Sequence, residues 1–297
     1  MAKVLLAGVA ALYLGVGASW GQAPARPPLI PVPGEHGAVP FELRNGAIAF
    51  HVFVAGTDVL AVIDNLANES LVDTELARAA GVSISSQTIR VPTAAGNLRA
   101  SQADGLPVTI PKEVEFKARL GVTDLSPISR QVGEPVSFVL GSEYVSTVQL
   151  IVATGAGTFM IGPSGGQSPP ESYPMIPLEG PQPKVSLLVG EKALMVTLDL
   201  SSKAELSLSP VAWGRVAPKG VILKTQGAGQ AVKRVGQLPE VRLGSVDTHE
   251  VTVEVSPHDA LDGDGTIGMG FLSHFDFVLD IHNHRLWLAP IGSFHFH

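Results

Sequence analysis

Apolar positions along this chain alternate with polar ones more often than they recur at helical spacing. Phe275, Phe277, Leu279 and Ile281 alternate with Asp276, Val278, Asp280 and His282, which predicts a strand with one strongly buried face. Asn283-His284 predicts a turn into a second strand through Leu286 and Leu288. HVFVAGTDVLAVID at 51–64 reads as strand, turn at Gly56, strand, aspartate; VSLLVGEKALMVTLD at 185–199 repeats it with the turn at Gly190. One helix is predicted, with Asp73 as N-cap, TELARAA as body and Gly81 as the stop.

The order of features repeats as well. After each aspartate comes a Thr- and Gly-containing turn, TAAGN from Thr93 and TQGAGQ from Thr225, then Leu106-Pro107 or Leu238-Pro239 expected to open a further strand. Last come FVLGSEYVSTVQLIVATGAGTFMI and GTIGMGFLSHFDFVLDIHNHRLWL; Gly141 and Gly268 are 127 positions apart, as are Ile161 and Leu288, so these align without a gap. This predicts an internal duplication. Residues 24–40 and 162–183 are rich in proline, which fixes φ and removes donors, and neither is expected inside a sheet. The first reads as an extended arm and the second as a linker between halves at 41–161 and 184–297.

Composition supports short strands and turns over a helical bundle: of 297 residues, 32 are Gly, 23 Pro and 16% charged. A net charge of −7 without a basic block argues against nucleic-acid binding. At the N-terminus one Lys precedes the apolar run Val4–Ala18, too short to span a bilayer comfortably, and small residues follow. Residues 1–23 read as a signal peptide cleaved between Ala18 and Ala23. The expectation is an exported protein, periplasmic or extracellular, with no stable membrane span. Cysteine is absent, so there are no disulfides and no thiol for a lipid anchor.

The segment from Asp64 through Ala67 to LVDTELARAAGV resembles the active-site stretch of retropepsin- and pepsin-like aspartic peptidases, which read Asp-Thr/Ser-Gly-Ala/Ser followed by a short helix. Val139-Leu140-Gly141 and Thr266-Ile267-Gly268 are similar to the strand that threads behind the aspartate loop in that family, and FDFVLDIHNHRLWLAP is similar to its last hairpin in bacterial exported members. The resemblance covers about residues 41–290. It implies an all-β, two-lobed fold with short helices and a catalytic pair, Asp64 and Asp199, one from each lobe, so that a single chain suffices. Two carboxylates held about 3 Å apart share one proton; the ionised one activates a water and the protonated one bonds the scissile carbonyl. The implied partner is an extended polypeptide. Flaps would lie at Ala94, Ala95, Gly96 and Asn97 and at Gln226, Gly227, Ala228 and Gly229. No cofactor or metal is implied.

The loops depart from the family pattern. Asn65 and Leu200 replace the Thr/Ser that locks the loops together; Asn retains a donor and Leu does not. Leu66 and Ser201 replace the glycine that lets the loop turn tightly, so a different backbone path or a crowded water site is expected at Leu66. Ala67 and Ser202 complete the two loops. Two readings follow: a divergent aspartic peptidase, favoured by an aspartate at both equivalent positions, or a catalytically degenerate peptide-binding or structural module, favoured by the loss of both glycines. Other matches lack their context. Gly263–Gly268 fits G-x-G-x-x-G with a polar loop before it and no βαβ unit. Gly162–Gly166 fits G-x-S-x-G but is followed by QSPPESYP rather than a helix. Asp262-Gly263-Asp264-Gly265 lacks the closing Glu of a calcium loop, and His282, His284, His295 and His297 read as turn and tail residues.

Overall fold

Two equivalent hairpins organise the chain. The computed structural model describes residues 30–31, 37–166, 169–220, 222–226, 233–256 and 263–294; the expected signal peptide lies outside them. In the first half, strands Ala47–Val54 and Thr57–Asp64 pair around Ala55 and Gly56, both at positive φ (49° and 80°), the conformation of tight two-residue hairpins. In the second, Lys184–Val189 and Lys192–Asp199 pair around a turn with Gly190 at φ 59°. A short buried strand then joins each hairpin in parallel. Phe138–Gly141 sets Gly141 opposite Asp64, and Gly265–Gly268 sets Gly268 opposite Asp199. Parallel pairing calls for cover on both faces, and all four residues of each short strand are buried.

Most of the protein is strand, and its architecture is all-β with short helices. In the first half the strands Val114–Thr123, Leu71–Asp73, Phe138–Gly141, Thr57–Asp64, Ala47–Val54 and Gly96–Ile110 close into a ring within a nine-stranded sheet. Their six repeat equivalents, Val246–Val255, Leu206–Leu208, Gly265–Gly268, Lys192–Asp199, Lys184–Val189 and Lys233–Leu243, close in the same order within a seven-stranded sheet. A six-stranded sheet takes strands from both halves. At its centre Val148–Ala153 pairs with its equivalent, Phe275–Asp280, and Ile151 lies opposite Val278, its own repeat partner 127 positions on. A pseudo-twofold axis therefore passes between those two residues. The main apolar core is continuous through both halves, from Phe50, Phe116 and Phe159 to Leu198, Phe271 and Phe277. The predicted helix runs Thr74–Ala79, with the Asp73 side chain accepting from Glu75 N–H.

Three sequence expectations are corrected. Both proline-rich stretches enter sheets: Ile30–Pro31, Val39–Pro40 and Met175–Pro177 are strands at sheet edges, where a missing donor faces no partner. The arm thereby docks, pairing with Val114–Glu115 and Phe159–Thr158. The strand at Phe275–Asp280 is buried on both faces rather than one. Its fully buried Asp276 accepts from Gly155, Ser293 and Phe294 N–H, and Asp280 from Ser164, Gly165 and Asn283, so the polar face caps loops. Leu106-Pro107 and Leu238-Pro239 lie within Gly96–Ile110 and Lys233–Leu243 instead of opening strands. In the first, Gly105 at φ 79° lets the strand bulge and bend without breaking.

Candidate functional site

Asp64 and Asp199 end equivalent strands, and each is held by the turn that follows it. Ala67 N–H donates to the Asp64 carbonyl (3.1 Å) and Ser202 N–H to that of Asp199 (3.4 Å). At the side chains, Asp64 Oδ1 accepts from Leu66 N–H (3.0 Å) and Ala67 N–H (3.2 Å), and Asp199 Oδ1 from Ser201 N–H (3.0 Å). The residue two places after each aspartate thus turns its amide onto the carboxylate. Neither Leu66 nor Ser201 needs positive φ to do so. Leu66 meets this turn with its backbone N–H, which any residue but proline supplies. Ser201 adds its hydroxyl, which donates to Asp199 Oδ1 at 2.7 Å. Ser202 closes the loop through its Oγ, which accepts from Ala204 N–H, and its carbonyl, which accepts from Met269 N–H.

Asn65 spans the two halves. Its Nδ2 donates to the Leu198 carbonyl (2.8 Å) and its Oδ1 accepts from Leu200 N–H (2.8 Å), so one side chain grips the backbone on both sides of Asp199. Leu200 returns no such bond; its side chain is fully buried in the main core. Two more contacts brace the Asp199 loop from the first half. Gln131 Nε2 donates to the Ser201 carbonyl (3.2 Å), and the Asn45-Gly46 turn lies directly against the Lys203 backbone.

This clamping buries the two carboxylates, leaving Asp64 3% and Asp199 6% exposed. Burial, with the charge of Asp199 as the next cause, raises Asp64 from 3.8 to about 6, against the opposing pull of the Ala94, Leu66 and Ala67 amides. Burial also pushes Asp199 up, and the Ser201 hydroxyl and amide restrain it. The pair therefore retains a proton into weakly acidic solution. Glu143, which sequence reasoning missed, accepts from Ser70 N–H (2.5 Å), while Ser70 Oγ accepts from Gly141 N–H (2.8 Å). It props the far end of the Asp64 loop and is raised chiefly by burial. Its repeat equivalent is Gly270, so the duplication itself carried no signal for it.

The remaining expected residues divide. Ala94, Ala95, Gly96 and Asn97 form the tip of the hairpin Ile84–Thr93/Gly96–Ile110, and Ala94 N–H donates to Asp64 Oδ2 (3.0 Å). Gly96 and Asn97 are exposed. In the second half Gln226 ends the exposed strand Lys224–Gln226, while Gly227, Ala228 and Gly229 lie outside the described residues. Ser164 of the G-x-S-x-G match gives its hydroxyl to the buried Asp280 (2.6 Å), and Asp264 is occupied by Met195 N–H and Arg215. The broad surface clefts lie elsewhere, one beside Arg78 and Arg130, another beside Ile222 and His249, and neither is lined by Asp64 or Asp199. No protein-family model matches the sequence, and no curated protein matches it either.

Proposed function

We propose that this chain is an exported aspartic-peptidase homologue on a two-lobed pepsin/retropepsin-like fold, hydrolysing peptide bonds with Asp64 and Asp199. The observation that carries the reading is the pair itself. Two repeat-equivalent aspartates end equivalent strands, are tied together through Asn65, and couple strongly enough for the charge of one to raise the other. With one proton between them, the ionised carboxylate takes a proton from a water as its oxygen attacks the peptide carbonyl carbon. The protonated carboxyl gives its proton to the carbonyl oxygen. Collapse of the tetrahedral diol then breaks the C–N bond, and a carboxyl returns a proton to the leaving amine. The substrate is a polypeptide held extended between the halves, and a single chain supplies both acids. Among the described residues no helix is long and apolar enough to cross a membrane.

The Ser201 hydroxyl favours a second reading. With the Ser201 amide it puts two donors on Asp199 Oδ1, a local loop-capping role for the carboxylate that fits a degenerate peptide-binding module on the same scaffold. Incubation of the purified protein with a peptide library from acidic to neutral pH separates the two. Cleavage abolished in both Asp64→Asn and Asp199→Asn is expected. Peptide binding without cleavage at any pH supports the module instead.

A further inference from the structure

The hairpin Ile84–Thr93/Gly96–Ile110 has two unlike faces. On the inner one, Val91 and Ala100 are fully buried in a cluster with Ala67 and Leu71, and Ile89 and Leu98 pack against it. Side chains alternate across a strand, so Thr88, Arg90, Asn97 and Arg99 share the outer face, and all four are exposed. The ladder sets Arg90 directly opposite Arg99. The Cβ atoms of such a cross-strand pair stand about 5 Å apart, and like charges placed there repel. The strand carrying Arg99 is fixed from its other side, where its carbonyl accepts from Thr123 Oγ1 at 2.8 Å.

The described chain supplies no acid to relieve this repulsion. Arg44, Arg119, Arg215 and Arg242 each have a carboxylate partner. Among the described residues, Arg90 and Arg99 have none. From Leu76 to Ala103 the sequence holds three arginines and neither Asp nor Glu, in a chain of net charge −7. A cleft of about 430 Å³ is lined by Thr88, Ile89, Arg90, Asn97 and Arg99. Ile84–Thr93 is also the last strand of the nine-stranded sheet, so one side of its backbone carries no ladder. A charge on an edge strand can serve to deter stray pairing. Arg99 lies on the inner strand of the two and guards no edge, so that role does not account for it.

We propose that the outer face of this hairpin is a docking surface for an acidic, extended segment of a partner polypeptide. Carboxylate side chains of the partner settle between Arg90 and Arg99, whose guanidinium groups offer paired donors to each carboxylate. Thr88 and Asn97 give neutral hydrogen bonds beside them, and the partner's main chain pairs along the open edge. The count of charges selects this partner. An anionic membrane or a nucleic acid calls for a larger basic cluster, whereas here two arginines stand together on a chain that is acidic overall. The surface is turned away from the Asp64 loop, so docking on it does not depend on whether Asp64 and Asp199 hydrolyse peptides.

Fluorescence anisotropy of the purified protein with a labelled decapeptide of alternating Glu and Thr tests this at neutral pH. The wild type is expected to bind the probe, and added salt to weaken the binding. The double variant Arg90→Gln/Arg99→Gln is expected to bind at least about tenfold more weakly, the scale of a lost hydrogen bond between charged groups. Arg242→Gln, which removes the same kind of charge from a pair already closed by Asp247, should stay close to wild type. Arg90→Glu/Arg99→Glu should turn the preference round, to a decapeptide of alternating Lys and Thr. No binding by the wild type, or equal binding by the double Gln variant, overturns the proposal. So does a wild type that ignores the peptide and binds phosphatidylserine vesicles, because the partner is then a membrane. Melting curves supply the second readout. Relief of the repulsion predicts that Arg90→Gln/Arg99→Gln melts no lower than wild type. A lower melting point would show that the two arginines serve the fold, and would overturn the proposal.

Discussion

Asn65 and Asp64 are neighbours whose roles show in different measurements. Asn65 makes two buried hydrogen bonds to the opposite half, one on each side of Asp199. At about 1 kcal/mol each, plus the cost of leaving the Leu198 carbonyl and Leu200 amide unsatisfied, Asn65→Ala is expected to lose about 2–4 kcal/mol in urea denaturation. Asp64 acts in the opposite sense. Its folded pKa of about 6 lies above its ordinary 3.8, so the native state holds a proton that the unfolded chain releases between those values. Its effect on stability is most favourable below about 3.8, declines as pH rises toward 6 and is flat beyond. At 1.36 kcal/mol per unit the decline is about 3 kcal/mol. Asp64→Asn is therefore expected to remove this residue's share of the slope, leaving that of the other raised carboxyls such as Asp199 and Glu143, and to be more stable than wild type at pH 7, as unfolding curves across pH would show. Asp280 runs the other way. Burial raises it, but Asn283, Ser164 and Gly165 outweigh burial and hold it below its usual range. Its contribution is present above the ordinary aspartate value and is lost as pH falls through the depressed one.

At the scale of elements, the turns between halves set the loops. Gly46 sits at φ 84° against the Lys203 backbone, where a Cβ would collide with main chain rather than with a flexible side chain. Gly46→Ala is expected to cost at least about 2 kcal/mol of thermal stability through this displacement and the left-handed backbone. It should also disturb the Asp199 loop, which the control Gly56→Ala should not, because a Cβ at Gly56 meets nothing. The hairpins around Gly56 and Gly190, the helix after Asp73 and the 127-residue offset were legible in the sequence, because each has a local signature of turn residue, cap or spacing. Edge strands of proline were not, since whether a missing donor matters depends on what lies beside it. Nor were the loop-capping roles of Asp276 and Asp280, whose partners are more than a hundred residues away or beyond the strand. The candidate site was half legible. Both aspartates and the donor capacity of Asn65 could be read. That the Leu66 amide turns onto Asp64, that Glu143 props the loop and that Ala94 reaches Asp64 are facts of tertiary placement.

At the scale of the whole molecule, the duplication is completed rather than merely repeated. The six-stranded sheet takes its central pair from both halves, with the twofold axis between Ile151 and Val278. A fragment ending at residue 166 would therefore expose the buried edge of Val148–Ala153. It is expected to be unfolded or aggregated alone and to regain structure when coexpressed with residues 169–297, a result that circular dichroism and size exclusion would register. The same axis brings the two aspartate loops together and lets one carboxylate sense the other. Carboxyl 13C titration of Asp64 in the wild-type protein and in Asp199→Asn measures that coupling most directly. The account predicts an Asp64 midpoint near 6 in the wild type and a clear fall in the variant, once the Asp199 charge is gone. A midpoint at the ordinary aspartate value, or one indifferent to Asp199, would contradict it.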